Sequence, residues 1–276
     1  MEAAEQISRM QDFLDSKRAE ISEQIRRRQY FMEVDFSDLS LKDPELAEQL
    51  LDHPEDIMQA GELAIKQMGE KIEHFYLRFF NLPSVAEVKI REVRSSHLGK
   101  LLRIDGVVRQ KSDVRPQMRL VKFECAQCAN VITIPQSESK IKEPVRCSAC
   151  GYRGKFRQID KELFDVQGIV LEENPEKLDG GEQPKRINLF LKEDLVSPLG
   201  DKMTNPGSNI IVAGILKEVP LENRGGQQTT KYDLIIEAIH IEEKQSTFSQ
   251  LEISEKEEEE IIALSKRENL LEILAE

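Results

Sequence analysis

The chain has 276 residues, 39% of them hydrophobic, and a formal net charge of −12 at pH 7, enough length and apolar content for one large cored domain or two to three small ones. No window approaches the roughly 18 to 20 uninterrupted apolar residues of a membrane span, and the opening MEAAEQISRM lacks the basic flank and apolar stretch of a secretory signal. The expectation is an intracellular, cytoplasmic protein without a membrane partner, whose cysteines stay reduced.

In chain order, residues 1–85 read as a helical bundle. Ile7, Met10, Phe13 and Leu14 recur at helical spacing, as do Ile21 and Ile25 ahead of the basic run Arg26-Arg27-Arg28. Asp43-Pro44 is an N-cap with proline at the first helical position, and His53-Pro54 closes that helix and opens the next. There Ile57, Gly61, Ala64, Met68 and Ile72 fall on one face. At EHFYLRFFNLP the apolar residues become dense, and after Pro83 the pattern shifts to β-type runs, which places a domain boundary near residue 85.

Residues 86–245 offer KLLRIDGVVRQ, RLVKFEC, KELFDVQGIVLEE, RINLFLKED, NIIVAGILKEV and KYDLIIEAIHIEE, each bounded by Gly, Pro or Asn turn signals. Five or six strands with an insertion after the second suit a Greek-key barrel of the OB type, with a β-sandwich as the alternative. KEVPLENRGGQQTTKYDLII reads as a projecting β-hairpin at about 215–235, turning at Gly225-Gly226 beside Arg224 and returning through Lys231. An ordinary surface hairpin is the plain reading, a basic tip in a nucleic-acid channel the sharper one. After residue 245, Ser254 and Glu257 form a capping box for a helix running to the end of the chain, a linker helix over 246–276. The fold class expected is thus α+β with several subdomains: helical bundle, OB barrel, cysteine insertion and linker helix.

The insertion, at about 120–157, holds all four cysteines. Cys125-x2-Cys128 and Cys147-x2-Cys150 are separated by 18 residues, within the spacing of a four-cysteine zinc ribbon. Each C-x-x-C forms a knuckle presenting two thiolates, and two knuckles complete the tetrahedron that zinc prefers. Four thiolates leave no position for water, so the Zn(2+) is structural and supplies on the order of 10 kcal/mol of folding energy to a segment too polar to core itself. An iron–sulfur centre, another metal, disulfides or free thiols are the alternatives.

Around the cysteines the charge reverses. Between Ala86 and Asp160 sixteen Lys and Arg stand against eight Asp and Glu, a basic stretch on acidic surroundings. Arg109, Lys111, Arg115 and Arg119 fall on the first two β runs and their turn, and Lys185 and Arg186 enter a later one. OB barrels bind single strands across that face, here through charge more than base stacking, since aromatics are few. A solvated surface is the bland alternative. Phosphate-binding, nucleophile-elbow and zincin motifs are absent from the sequence and the four histidines are isolated, so nothing reads as a catalytic site.

In this order, SSHLGKLLRIDGVVRQ, the four-cysteine insertion, GGEQPKRINLFLKEDLVSPLGD and NIIVAGILKEV leading into the hairpin resemble the N-terminal portion of the archaeal minichromosome maintenance (MCM) replicative helicases, over nearly the whole chain. The resemblance implies one tier of a hexamer or double hexamer that surrounds DNA, with ATP and Mg bound only by a separate AAA+ motor beyond the linker helix, and with other replication proteins as further partners. It implies single-strand contacts at Arg115, Lys185 and Arg186, and basic hairpin contacts at Arg224 and Lys231 facing a channel for single- or double-stranded DNA. The GGEQPKR loop resembles the family's allosteric loop. Two features depart from the pattern: Gln110 stands where relatives are often basic, flanked by Arg109 and Lys111, and VSPLGDKMTNPGSN is longer than the usual turn. The rival classes are a stand-alone single-stranded-DNA-binding protein of the replication protein A type and a zinc-stabilised scaffold that binds only proteins.

Overall fold

The structure, a computed structural model, describes residues 3–68, 74–136, 141–175, 178, 182–222 and 228–244. The linker helix, its capping box, Ile72 and the Gly225-Gly226 turn lie outside the described residues. Helices α1 (Ala3–Asp15), α2 (Arg18–Arg26), α3 (Phe36–Lys42), α4 (Pro44–Asp52) and α5 (Pro54–Gln67) form the N-terminal subdomain. Asp43 separates α3 from α4 as read: its carboxylate accepts a hydrogen bond from the Leu46 N–H at 3.1 Å, and Pro44 begins the new helix. Met10, Phe13 and Leu14 of α1 are buried with Leu46 and Leu50 of α4 and with Ile57 and Ala64 of α5.

This subdomain is not purely helical. Strands β1 (Phe31–Asp35) and β2 (Tyr76–Phe80) pair in parallel, from Phe31 opposite Tyr76 to Asp35 opposite Phe80. A parallel pair needs a long crossover, which α3 to α5 supply, so neither five-residue strand has a partner nearby in sequence. Helix α5 crosses β2 closely enough that a Cβ at Gly61 would stand 2.4 Å from Leu77 Cδ1.

The remaining strands are β3 (Leu101–Lys111), β4 (Arg115–Glu124), β5 (Val131–Pro135), β6 (Arg157–Glu172), β7 (Arg186–Lys192), β8 (Asn209–Glu222) and β9 (Gln228–Glu243), with the short helix α6 (Pro198–Met203) between β7 and β8. They form one sheet in the order β3-β8-β9-β7-β6-β4-β5, and pairing of β3 with β6 closes a five-stranded ring of β3, β8, β9, β7 and β6. Every ring contact is antiparallel except β7 with β9. This is the OB barrel. Its core contains Ile104, Val108, Ile169, Leu171, Leu189, Leu191, Val212 and Leu216.

One expectation is corrected by this topology. RLVKFEC is not the second strand of the barrel: it belongs to β4, which pairs with β5 and with the outer part of β6. The insertion therefore follows the first barrel strand, and the second is the later part of the long β6. The long segment VSPLGDKMTNPGSN holds the short helix α6 between barrel strands: Ser197 caps it by accepting from the Gly200 N–H at 3.2 Å, with Pro198 in the first turn.

A second core joins the subdomains, since Leu101, Ala213, Ile215 and Ile239 of the barrel belong to the same buried cluster as the helices. Arg78 of β2 is buried at this junction, donating to Asp194 through Nε at 3.1 Å and to the Ile239 carbonyl at 3.1 Å. Among the described residues no helix is long and apolar enough to cross a membrane.

Candidate nucleic-acid interface and metal centre

The two C-x-x-C segments fold alike. In the first, the Cys125 N–H bonds the Asn130 carbonyl and the Ala129 N–H the Cys125 carbonyl, both at 2.9 Å; in the second, Cys147 pairs with Tyr152 at 2.9 Å and Gly151 with Cys147 at 3.0 Å. The residue after each second cysteine has positive φ, +55° at Ala129 and +73° at Gly151, the conformation glycine adopts without cost. Gly154 has a different role, since a Cβ there would meet the Tyr152 hydroxyl at 2.4 Å.

Together the knuckles bring four Sγ atoms within 4.8 Å of one another, with Cys125 to Cys150 and Cys128 to Cys147 each at 3.6 Å. Such separations are far beyond the roughly 2.05 Å of a disulfide and close to the ~3.8 Å edge of a tetrahedron with ~2.3 Å metal–sulfur arms. Cys125 and Cys147 are buried and Cys128 and Cys150 exposed. The N–H of Cys150, opposed by burial and aided by the N–H of Ala149, lowers the Cys147 pKa, whereas the Cys128 and Cys150 thiols are raised, against the N–H groups of Asn130 and Tyr152 respectively, by burial and the neighbouring sulfurs. Around the sulfurs the apolar core is small: Val121, Phe123 and Phe156, flanked by Met118, Ile132, Ile134 and Tyr152. The donor set and geometry fit a four-thiolate metal centre.

The basic residues fall into two groups that the strand pattern alone does not separate. Ile169 and Leu171 of β6 enter the barrel core, so Val166, Val170 and Glu172 lie on the strand's other face, because side chains alternate along a strand; there Val166 and Glu172 are covered by their neighbours and Val170 is half-buried. Residues opposite one another in the ladder share a face: Arg115 lies opposite Val166, Gln110 opposite Val170 and Arg186 opposite Glu172. These partners define an outer strip along β6. Arg115 and Lys185 are exposed and their side chains make no hydrogen bond or ion pair among the described residues, while Arg186 donates to Glu172 at 2.5 Å and stays 58% exposed.

Arg109 is the extra residue of a β-bulge, where the β3–β6 register shifts between Val108 and Gln110. It too is exposed and without a partner among the described residues. Bulges re-aim a side chain, and here the bulge frees Arg109 while Lys111 turns to the core side opposite Ile169. Lys111 bonds the Asp201 carbonyl at 3.0 Å, Thr204 Oγ1 at 2.9 Å and the Asp201 carboxylate at 2.5 Å. Lys111 thus fastens α6 to the barrel.

Arg119 is redirected in the same way. It occupies a bulge in β4, between Met118 and Leu120, pairs with Glu193 and with Glu162 at 3.5 Å, bonds the Tyr76 hydroxyl at 3.0 Å and stacks over Phe164. It joins β2 of the helical subdomain to the base of the insertion. The pairing of β8 with β9 continues out to Glu222 opposite Gln228, with Lys231 exposed on the returning strand; Arg224 lies outside the described residues. What the sequence reading missed are the acids that decide which cations are occupied, Glu172, Glu193 and Asp201. Nothing local marks them.

Two family models match the chain: the MCM N-terminal domain over residues 8–100 and the MCM OB domain over residues 89–220. The chain belongs to the MCM family. A crystal structure of the N-terminal domain of an archaeal MCM superposes with a TM-score of 0.73 at 26% identity, covering 88% of this chain and all of that one. The minichromosome maintenance protein MCM of Saccharolobus solfataricus is 28% identical over 263 residues, 89% of this chain and 37% of that protein. The DNA replication licensing factor MCM2 of Arabidopsis thaliana is 26% identical over 271 residues, 91% of this chain and 28% of that protein. The chain spans about a quarter to two fifths of the length of these curated MCM relatives.

Proposed function

We propose that this MCM chain is the DNA-binding and ring-forming N-terminal module of a replicative helicase, working inside the cell. It surrounds DNA as a hexamer or double hexamer and binds single strands through Arg115, Lys185, Arg186 and Arg109, with Lys231 and Arg224 on the hairpin facing single- or double-stranded DNA in the channel. The observation that carries this reading is the outer strip along β6, where an OB barrel displays cations that are exposed and, at Arg115, Lys185 and Arg109, free of internal partners among the described residues. Binding there is electrostatic, strongly salt-dependent and weakly selective in sequence.

Cys125, Cys128, Cys147 and Cys150 hold one Zn(2+), which is structural because four thiolates fill its coordination. ATP and Mg belong to a separate AAA+ motor, and other replication proteins are further partners. The test is fluorescence anisotropy with a labelled single-stranded oligonucleotide on Arg115→Ala combined with Arg186→Ala, alongside sedimentation velocity for ring mass. Weaker binding with a shallower salt dependence is expected; unchanged affinity and slope would refute the OB-face assignment.

A further inference from the structure

Glu173 follows the last residue of β6 and is 6% exposed, a carboxylate that needs partners to remain charged where it lies. It has five. Its Oε1 accepts from the backbone N–H of Arg91 at 2.9 Å and from Arg91 Nε at 3.0 Å; its Oε2 accepts from Arg91 Nε at 3.2 Å, Arg91 Nη2 at 3.1 Å and the backbone N–H of Lys185 at 3.0 Å. The Glu173 N–H also donates to the Lys185 carbonyl at 3.0 Å. Burial would raise the pKa of this carboxylate, yet the Arg91 guanidinium and the two N–H donors hold it below the ordinary value.

These bonds close the neck of the loop that leaves the barrel after Glu173 and returns at Lys185. Arg91, from the 3-10 turn Ile90–Glu92 ahead of the barrel, is the anchor, and it reaches across the neck to Glu182 as well. The next residue after the neck is Arg186, opposite Glu172 on the outer strip. One buried carboxylate therefore sets the backbone position of Lys185 and the entry of Arg186 into β7.

We propose that Arg91 and Glu173 are positioning residues for DNA binding: they lock the loop neck so that Lys185 and Arg186 present their cations on the barrel face. This rests on the single-strand reading of that face. The proposal inverts the simplest electrostatic expectation. Removing a carboxylate near a polyanion site should strengthen binding by charge alone, whereas loss of the lock weakens it.

The experiment measures single-strand affinity and its salt slope for Glu173→Ala and Arg91→Lys, with hydrogen exchange of the Lys185 amide as a structural readout. Glu173→Gln, which keeps the side-chain shape, replaces Glu173→Ala if the latter fails to fold. Asp233→Asn serves as a charge control, since Asp233 shares a surface depression with Arg186 but takes no part in the neck; it should bind as well as or better than the parent. The expected result is loss of Lys185 amide protection by about tenfold, affinity lower by about threefold or more, and a shallower slope. Unchanged or tighter binding by Glu173→Ala or Glu173→Gln, while Arg115→Ala with Arg186→Ala binds more weakly, overturns the lock and leaves the interface standing. If that double variant also binds normally, the interface reading fails and takes the lock with it.

Discussion

Arg109 and Lys111 are two residues apart on one strand and the same in charge, yet the fold leaves the first exposed and unpaired among the described residues and makes the second a structural tie. Replacing Arg109 by Ala removes an exposed cation that satisfies nothing within the described protein, so the stability cost is small, within about 0.5 kcal/mol. If Arg109 meets one phosphate, single-strand affinity should fall by roughly 1 kcal/mol, about fivefold. The slope of log K against log salt should become shallower by about 0.7, so a fourfold rise in salt costs the variant about 2.6-fold less affinity than the parent. Lys111→Ala has the opposite signature. It removes donors from the Asp201 carbonyl and from Thr204, which is fully buried, while the pair with the 53% exposed Asp201 carboxylate contributes little. The cost is roughly 1 to 2 kcal/mol, a fall in Tm of about 2–4 °C for each kcal/mol in a chain of this size, with the salt slope unchanged. Anisotropy titrations at four salt concentrations, paired with thermal melts, measure both. The reasoning is refuted if Lys111→Ala flattens the salt dependence and Arg109→Ala does not.

Metal removal offers a second test. A chelator should abolish amide protection at Cys125 and Cys147, whose module has only a small apolar core of its own, while the barrel strands around Ile104 and Leu171 stay protected; elemental analysis should find one zinc per chain beforehand. Hydrogen exchange that leaves the cysteine module as protected without metal as with it would refute a structural centre. The third concerns pH. Glu237 is partly buried, which would raise its pKa, but Lys192 at 2.9 Å and Lys217 at 2.8 Å lower it below the ordinary 4.5. A depressed folded pKa contributes stability that is present above the unfolded value and is lost as pH falls through the folded one. Glu237→Gln should therefore destabilise the protein at pH 7 and flatten its acid limb below about pH 4.5 in denaturant titrations; parallel limbs for parent and variant would refute this.

Much of the fold was legible because its signals are local. Asp43-Pro44 and His53-Pro54 mark helix boundaries through capping and proline geometry, and the β-type runs from Leu101 to Glu243 announce themselves by composition. The two C-x-x-C pairs state their own chemistry, because a knuckle is built by a few consecutive residues whose backbone bonds close on themselves. The pairing of β1 with β2 was not legible, since its two strands are joined only through three intervening helices.

The sequence by itself determined where cations and thiols lie along the chain, and which short segments become helix or strand, because propensity, capping and spacing act over a few residues. Only the tertiary structure decided that β6 and not the RLVKFEC run is the second barrel strand, that bulges release Arg109 and redirect Arg119, and that Lys111 is spent on α6. The physical reason is that a cation's availability depends on which carboxylate or carbonyl the fold brings within about 3 Å of it, and Glu193, Asp201 and Glu173 arrive there from far along the chain.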